Sequence, residues 1–176
     1  MYEEKINAYF DAPERRAELV EAISRLVRIR SVREEPLPGM PFGPGPAAAL
    51  AEGLKLAEEL GFATRNYDNY VGTADLNDKE TALHILCHLD VVGEGTGWTV
   101  TEPYVPKEVD GMLYGRGTDD DKGPVAAVLL AMKAVKELGV SVTLIGQKEK
   151  IEPLLNGGSG VDIVDAREIV TMEDDP

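Results

Sequence analysis

Two short stretches hold the residues whose types and spacing could do chemistry. His88 and Asp90 stand two apart, and some thirty residues later Asp119, Asp120 and Asp121 follow a glycine turn in Gly115-Arg116-Gly117-Thr118-Asp119-Asp120-Asp121-Lys122-Gly123. A neutral imidazole is a good zinc ligand, and a carboxylate on its other ring nitrogen fixes the tautomer and raises its basicity. A second carboxylate can bridge two cations about 3.5 to 4 Å apart, so the chemistry suggested is two-metal hydrolysis. Such a site calls for about five protein ligands and a general base. The only imidazoles in the chain are His84 and His88.

Each stretch has a plainer reading. On a strand, His88 and Asp90 point to one face near the strand's C-terminal end, where open α/β sheets bind ligands. The same triplet also describes a buried histidine held by a carboxylate with no metal. Gly115 and Gly117 permit a tight turn, after which the aspartates open a helix, where they could reach a metal or simply cap the helix. Three adjacent carboxylates call for more positive charge than Arg116, Lys122 and a helix dipole supply, which favours a cation. His84 would lie about 13 Å from His88 along a strand and reads as a core histidine. Cys87 would face the opposite side from His88, which argues against a thiol nucleophile. Gly157-Gly158-Ser159-Gly160 lacks the lysine and helix of a phosphate cradle and reads as a turn.

The elements that must position these residues follow from periodicity. Ala17, Leu19, Val20, Ile23, Leu26 and Val27 recur at helical spacing over Arg15 to Val27, and Ala47 to Leu60 resumes that period and stops at Gly61. Between them, Pro36 to Pro46 holds five prolines and three glycines and reads as an irregular loop. Tyr67 to Leu76 and Ala82 to Val92, separated by a polar turn, read as neighbouring strands, the second buried and central. Met112 to Tyr114 reads as a strand, Pro124 to Leu138 as a helix ended by Gly139, and the tail as strand, helix and strand over 141–145, 148–155 and 161–164. The expected class is α/β, with a mixed, mostly parallel sheet flanked by helices.

The 176 residues suffice for one domain with a core. With 43% apolar and 28% charged residues and no long apolar run, the chain reads as soluble. The acidic start shows no export signal, and one cysteine fits a reducing cytosol, so a cytoplasmic location is expected. A formal charge of −14 disfavours nucleic acid and anionic membrane as partners.

The run His88-Leu89-Asp90-Val91-Val92, then Gly97-Trp98, Gly111 to Thr118 and Asp120-Asp121-Lys122-Gly123-Pro124, resembles the two-zinc metallopeptidases related to carnosinase, aminoacylase and carboxypeptidase G. The Arg28 to Val32 segment and the Met40-Pro41-Phe42-Gly43 loop are similar to the bacterial cytosolic dipeptidase branch. The likeness covers about residues 5–139 and implies the N-terminal part of a zinc-peptidase catalytic domain. It implies His88 as a ligand of one metal, Asp120 as the bridge, and Asp90 as the catalytic-site residue that orients His88. It also implies zinc at two sites, with manganese or cobalt as alternatives, and short peptides as substrates. Hydrolysis would use a metal-activated hydroxide and a glutamate base. Asp121, Lys122 and Trp98 match the pattern in supporting roles.

After the helix the pattern departs. Where the family has a Glu-Glu pair, this chain has Gln147-Lys148-Glu149-Lys150, and the later ligands and lid domain have no candidates. Residues 141–176 instead resemble an early part of the phosphate acyltransferases of phospholipid synthesis. The expected organisation is a partial metallopeptidase domain over 1–139 and a tail over 140–176 of different origin. The expected function is a metal-dependent dipeptidase, incomplete and weakly active or inactive as this chain; the alternatives are an acyltransferase-related fragment and a non-catalytic remnant.

Overall fold

The computed structural model describes residues 2–79 and 83–139. The chain divides into two units, one of Met1–Lys79 with Ile85–Ser141 and one of Glu80–His84 with Val142–Pro176. The first carries every element below. The elements expected at 141–145, 148–155 and 161–164, with Glu149 and the glycine turn at 157–160, lie outside the described residues.

Among the described residues four helices are present: α1 (Tyr2–Phe10), α2 (Pro13–Val27), α3 (Pro44–Glu59) and α4 (Lys122–Leu138). Helix α3 begins three residues before the expected Ala47, because Pro44 and Pro46 fall in its first turn, where backbone N–H groups have no intrahelical acceptor to lose. Helix α4 likewise begins at Lys122 and closes on Gly139 at φ 61°. Helix α1 is an addition to the sequence reading. It packs against α2 and α4.

The core forms where α2, α3 and α4 turn their apolar stripes inward. Ala22 and Leu26 of α2 meet Leu56 and Ala57 of α3, Ala126 and Leu129 of α4, and Phe62. Leu26 is fully buried, a placement that contributes about 1.5–3 kcal/mol. Around the core the helices are laced by ion pairs: Arg25 Nε to Glu52 Oε1 at 2.8 Å between α2 and α3, and Lys133 of α4 to Glu18 of α2.

The sheet pairings differ from expectation. Strand β1 (Ala63–Tyr67) pairs antiparallel with β2 (Val71–Asp75), from Ala63 opposite Asp75 to Tyr67 opposite Val71. Asp68 and Asn69 adopt φ 52° and 59°, and the Asn69 N–H donates to the Asn66 side chain at 2.9 Å. Short polar side chains of this kind tolerate the left-handed region and bond locally, so they close the hairpin. The second pair, β3 (Lys107–Val109) and β4 (Met112–Tyr114), turns on Asp110-Gly111, the dipeptide favoured in two-residue hairpin turns.

The expected central strand over 82–92 is mostly without a partner among the described residues. Val91 alone bridges, in parallel, to Val32. Ile85, Leu86 and Val92 are accordingly exposed at 55%, 90% and 72%. Among the described residues the sheet content is mixed, two antiparallel pairs with a parallel bridge at Val32–Val91 and an antiparallel one at Leu37–Met40, and α3 packs against the β1–β2 hairpin.

Candidate metal centre

The segment before Val91 and the turn before α4 meet at one open cleft. It is lined by His88, Asp90, Arg116 and the Gly117–Asp120 turn, and encloses about 260 Å³. His88 Nε2 lies 3.0 Å from Oδ1 of Asp120. On the other side of the ring, Nδ1 lies 3.3 Å from Oδ1 of Asp90 and 3.1 Å from its backbone oxygen. The three residues singled out in the sequence therefore converge, with the histidine between two carboxylates. All three are substantially exposed, Asp120 at 83%.

What holds them is buried. Gly117 sits at φ 89°, and a Cβ there would stand 2.9 Å from Val91 Cγ1 and 3.0 Å from Lys122 Cδ. Only glycine lets the turn close on both segments. Lys122 is fully buried, its Nζ donating to the Ile29 backbone oxygen at 2.6 Å, and burial pushes its ammonium down to about 8. Asp121 occupies the N-cap position of α4 but makes no cap hydrogen bond. Its Oδ2 instead accepts the backbone N–H of His88 at 2.9 Å. The helix-cap reading is therefore not what this side chain does.

Arg116 lines the same cleft, but its guanidinium is engaged by the Glu94–Trp98 segment. Its guanidinium donates to the Glu94 backbone oxygen at 2.9 Å and stacks over Trp98 at 5.4 Å, while Trp98 Nε1 donates to the same oxygen at 2.7 Å.

The donors fit a divalent cation in kind. Tetrahedral ligands at about 2.0–2.1 Å from zinc stand about 3.3 Å apart, within a few tenths of the His88 to Asp120 separation of 3.0 Å. They fall short in number. Among the described residues, no group of three or more His, Cys, Asp or Glu could hold a metal ion. Burial lowers the His88 pKa, but the backbone oxygen of Asp90 and the charges of Asp90, Asp121 and Asp120 outweigh it and raise the value above the ordinary one. Such a negative environment favours any cation, proton or metal.

The other candidates separate cleanly. His84 is exposed, which corrects the expectation of a core histidine: the segment carrying it has no pairing strand among the described residues to cover it. Burial, then the charge of Asp121, pushes the Cys87 thiol up, away from the reactive thiolate.

Residues 84–153 match the model of Peptidase family M20/M25/M40. The "Putative dipeptidase YtjP" of Bacillus subtilis (strain 168) is 37% identical over 131 residues, 73% of this chain and 28% of that protein. A protein described as "Putative dipeptidase" from Staphylococcus epidermidis is 35% identical over 80% of this chain and 29% of its own length. The chain is thus similar to part of an M20-family peptidase. The crystal structure of human carnosine dipeptidase 1 superposes with a TM-score of 0.61 at 30% identity, over 79% of this chain and 32% of that one. The chain spans between a quarter and a third of the length of these relatives.

Two residues behind the cleft make long-range bonds that no local sequence signal announces. Ser31 is fully buried and donates from Oγ to the Leu89 backbone oxygen at 2.6 Å. Lys122 matches the family motif, but only the fold reveals that it reaches Ile29, 93 residues away.

Proposed function

We propose that this chain is the metal-ligating part of a divalent-metal dipeptidase, with zinc as the ion. The observation that carries the reading is the approach of His88 Nε2 to Asp120 Oδ1 at 3.0 Å, with Asp90 behind the ring. The names of the M20 relatives add the substrate class, short peptides. In this reading His88 and Asp120 hold the ion, and Asp90 keeps the imidazole in the tautomer that presents Nε2 to it. A divalent cation at this position supplies Lewis-acid polarisation and a water acidified enough to attack a carbonyl near neutral pH. The cleft admits a small substrate from solvent. No glutamate lines the described part of the cleft to serve as proton acceptor for the water, and Glu149 lies outside the described residues. Metal binding is therefore the primary property expected of this chain, and its turnover is expected to be weak.

The single cysteine supports a cytoplasmic setting. No helix among the described residues is long and apolar enough to cross a membrane. The division into a metallopeptidase part, residues 1–139, and a tail of different origin is part of the proposal and rests on the tail's sequence. Reading the genomic DNA across the codons for Leu138 to Thr143 tests it, since a frame interrupted there would make the junction an artefact of assembly.

The function is tested by titrating zinc into the chelator-treated full chain while following its thermal midpoint, with dipeptide hydrolysis assayed on the same samples. A rise in midpoint that disappears in His88→Ala is expected. A midpoint indifferent to zinc, or a rise that His88→Ala leaves intact, overturns the proposal.

A further inference from the structure

The exposed ligands of the cleft belong to two segments far apart in sequence, and the buried connection between those segments runs through a third. The Ile29–Ser31 turn follows α2. Its Ser31 backbone oxygen accepts the Val91 N–H at 3.2 Å, and Ser31 Oγ donates to the Leu89 oxygen at 2.6 Å. Both bonds grip the segment that carries His88 and Asp90. On its other side, the Ile29 oxygen accepts Lys122 Nζ at 2.6 Å, from the first residue of the helix that follows Asp120 and Asp121. Ser31 and Lys122 are both 0% exposed. The turn is itself wedged from behind, since a Cβ on Gly45 of α3 would stand 2.2 Å from the Arg30 oxygen.

We propose that Ser31 and Lys122 are positioning residues that act through the Ile29–Ser31 turn to set the separation of His88 and Asp120 for a divalent cation. The inference rests on the reading of that pair as cation ligands. Lys122 is an unusual choice for a purely structural post. An amine withdrawn from water carries a desolvation cost, and a packed apolar side chain of similar length would serve stability as well or better. What the apolar replacement loses is direction: a hydrogen bond aims the start of α4 at one carbonyl, whereas apolar packing tolerates sliding. Ser31 is similar, a small hydroxyl whose single donor fixes the Leu89 peptide one residue from each of His88 and Asp90. Ligand orientation by such supporting bonds typically governs metal affinity by about 10–100-fold.

The two roles, positioning and plain structure, separate experimentally because they move affinity and stability differently. Zinc affinity is measured on the full chain by competition with a chromogenic chelator, and the thermal midpoint is taken without metal. For Lys122→Met, zinc affinity is expected to fall about tenfold or more, with a metal-free midpoint at or above that of the unaltered chain. For Ser31→Ala, the same loss of affinity is expected with the fold retained, and Ser31→Thr, which keeps the hydroxyl, is expected to recover most of it. Folded variants that bind zinc as tightly as the unaltered chain overturn the inference while leaving the ligand reading intact. Loss of the folded state in both Lys122→Met and Ser31→Ala also overturns it, since these groups would then be holding the core together. An unaltered chain that does not bind zinc, or binds it equally with His88→Ala, removes the ligand reading and this inference with it.

Discussion

The backbone N–H of His88 donates to Oδ2 of Asp121 at 2.9 Å, so the residue next to Asp120 grips the main chain of the histidine that Asp120 faces. Two neighbouring carboxylates thus divide the work. Asp120 faces the imidazole from the cleft, and Asp121 locates the peptide from which that imidazole springs.

This division predicts different sensitivities at position 121. Asp121→Ala removes the acceptor and is expected to weaken zinc binding by about tenfold, as loss of a supporting partner does. Asp121→Asn keeps an acceptor oxygen and is expected to retain most of the affinity. Equal losses in the two, measured by chelator competition, would mean that the charge of Asp121 and not its hydrogen bond matters.

Asp90 lies against Nδ1 of His88 at 3.3 Å. Asp90→Asn is expected to lower zinc affinity by about 10–100-fold without moving the metal-free thermal midpoint, because the side chain is 61% exposed. Calorimetric titration reads the first quantity and thermal melting the second.

Gly117 is expected to be intolerant of a side chain. At φ 89°, with Val91 Cγ1 2.9 Å from a would-be Cβ, Gly117→Ala meets both a strained backbone and a collision. A loss of about 1–3 kcal/mol is expected from urea denaturation. An unchanged denaturation midpoint would show that the turn relaxes without cost.

Glu18 supplies an acid-sensitive contact between α2 and α4. Burial raises its pKa, but hydrogen bonds from Lys133 and Arg15, with their charges, bring it below the ordinary carboxylate value. The unfolded chain therefore binds this proton more readily than the folded one. The contact contributes in full above the unfolded value and is lost as pH falls through the lower folded one. Glu18→Gln is expected to shallow the fall of the thermal midpoint between neutral pH and about pH 3, relative to the unaltered chain. Parallel curves would assign the acid limb to other carboxylates.

Much of the candidate site is legible before any coordinates. Metal chemistry restricts residue types, so His88, Asp90 and Asp120 stand out by identity and order, and the apolar spacing of α2, α3 and α4 marks the core that carries them. The M20 likeness read from these motifs agrees with the family match and the carnosine dipeptidase superposition. What escapes is set by long-range partners. The β1 sequence Ala-Thr-Arg-Asn-Tyr has no apolar alternation to announce a strand, because most of it is exposed and its pairing with β2 is decided by the turn at Asp68-Asn69. His84 reads as buried from its apolar neighbours, yet burial needs a covering strand, and the local sequence does not say whether one pairs there. Ser31 looks like an ordinary loop residue, and its bond to Leu89 spans 58 positions that no periodicity connects.

The facing donors stand at the mouth of an open cleft, with the His88 side chain 50% and the Asp120 side chain 83% exposed. An ion resting there would be reached directly by water and by competing chelators, so its departure needs no opening of the fold. Occupancy would then follow the free-ion concentration of the surroundings moment by moment, and the chain would behave as a readily exchanging acceptor of zinc instead of a long-lived store.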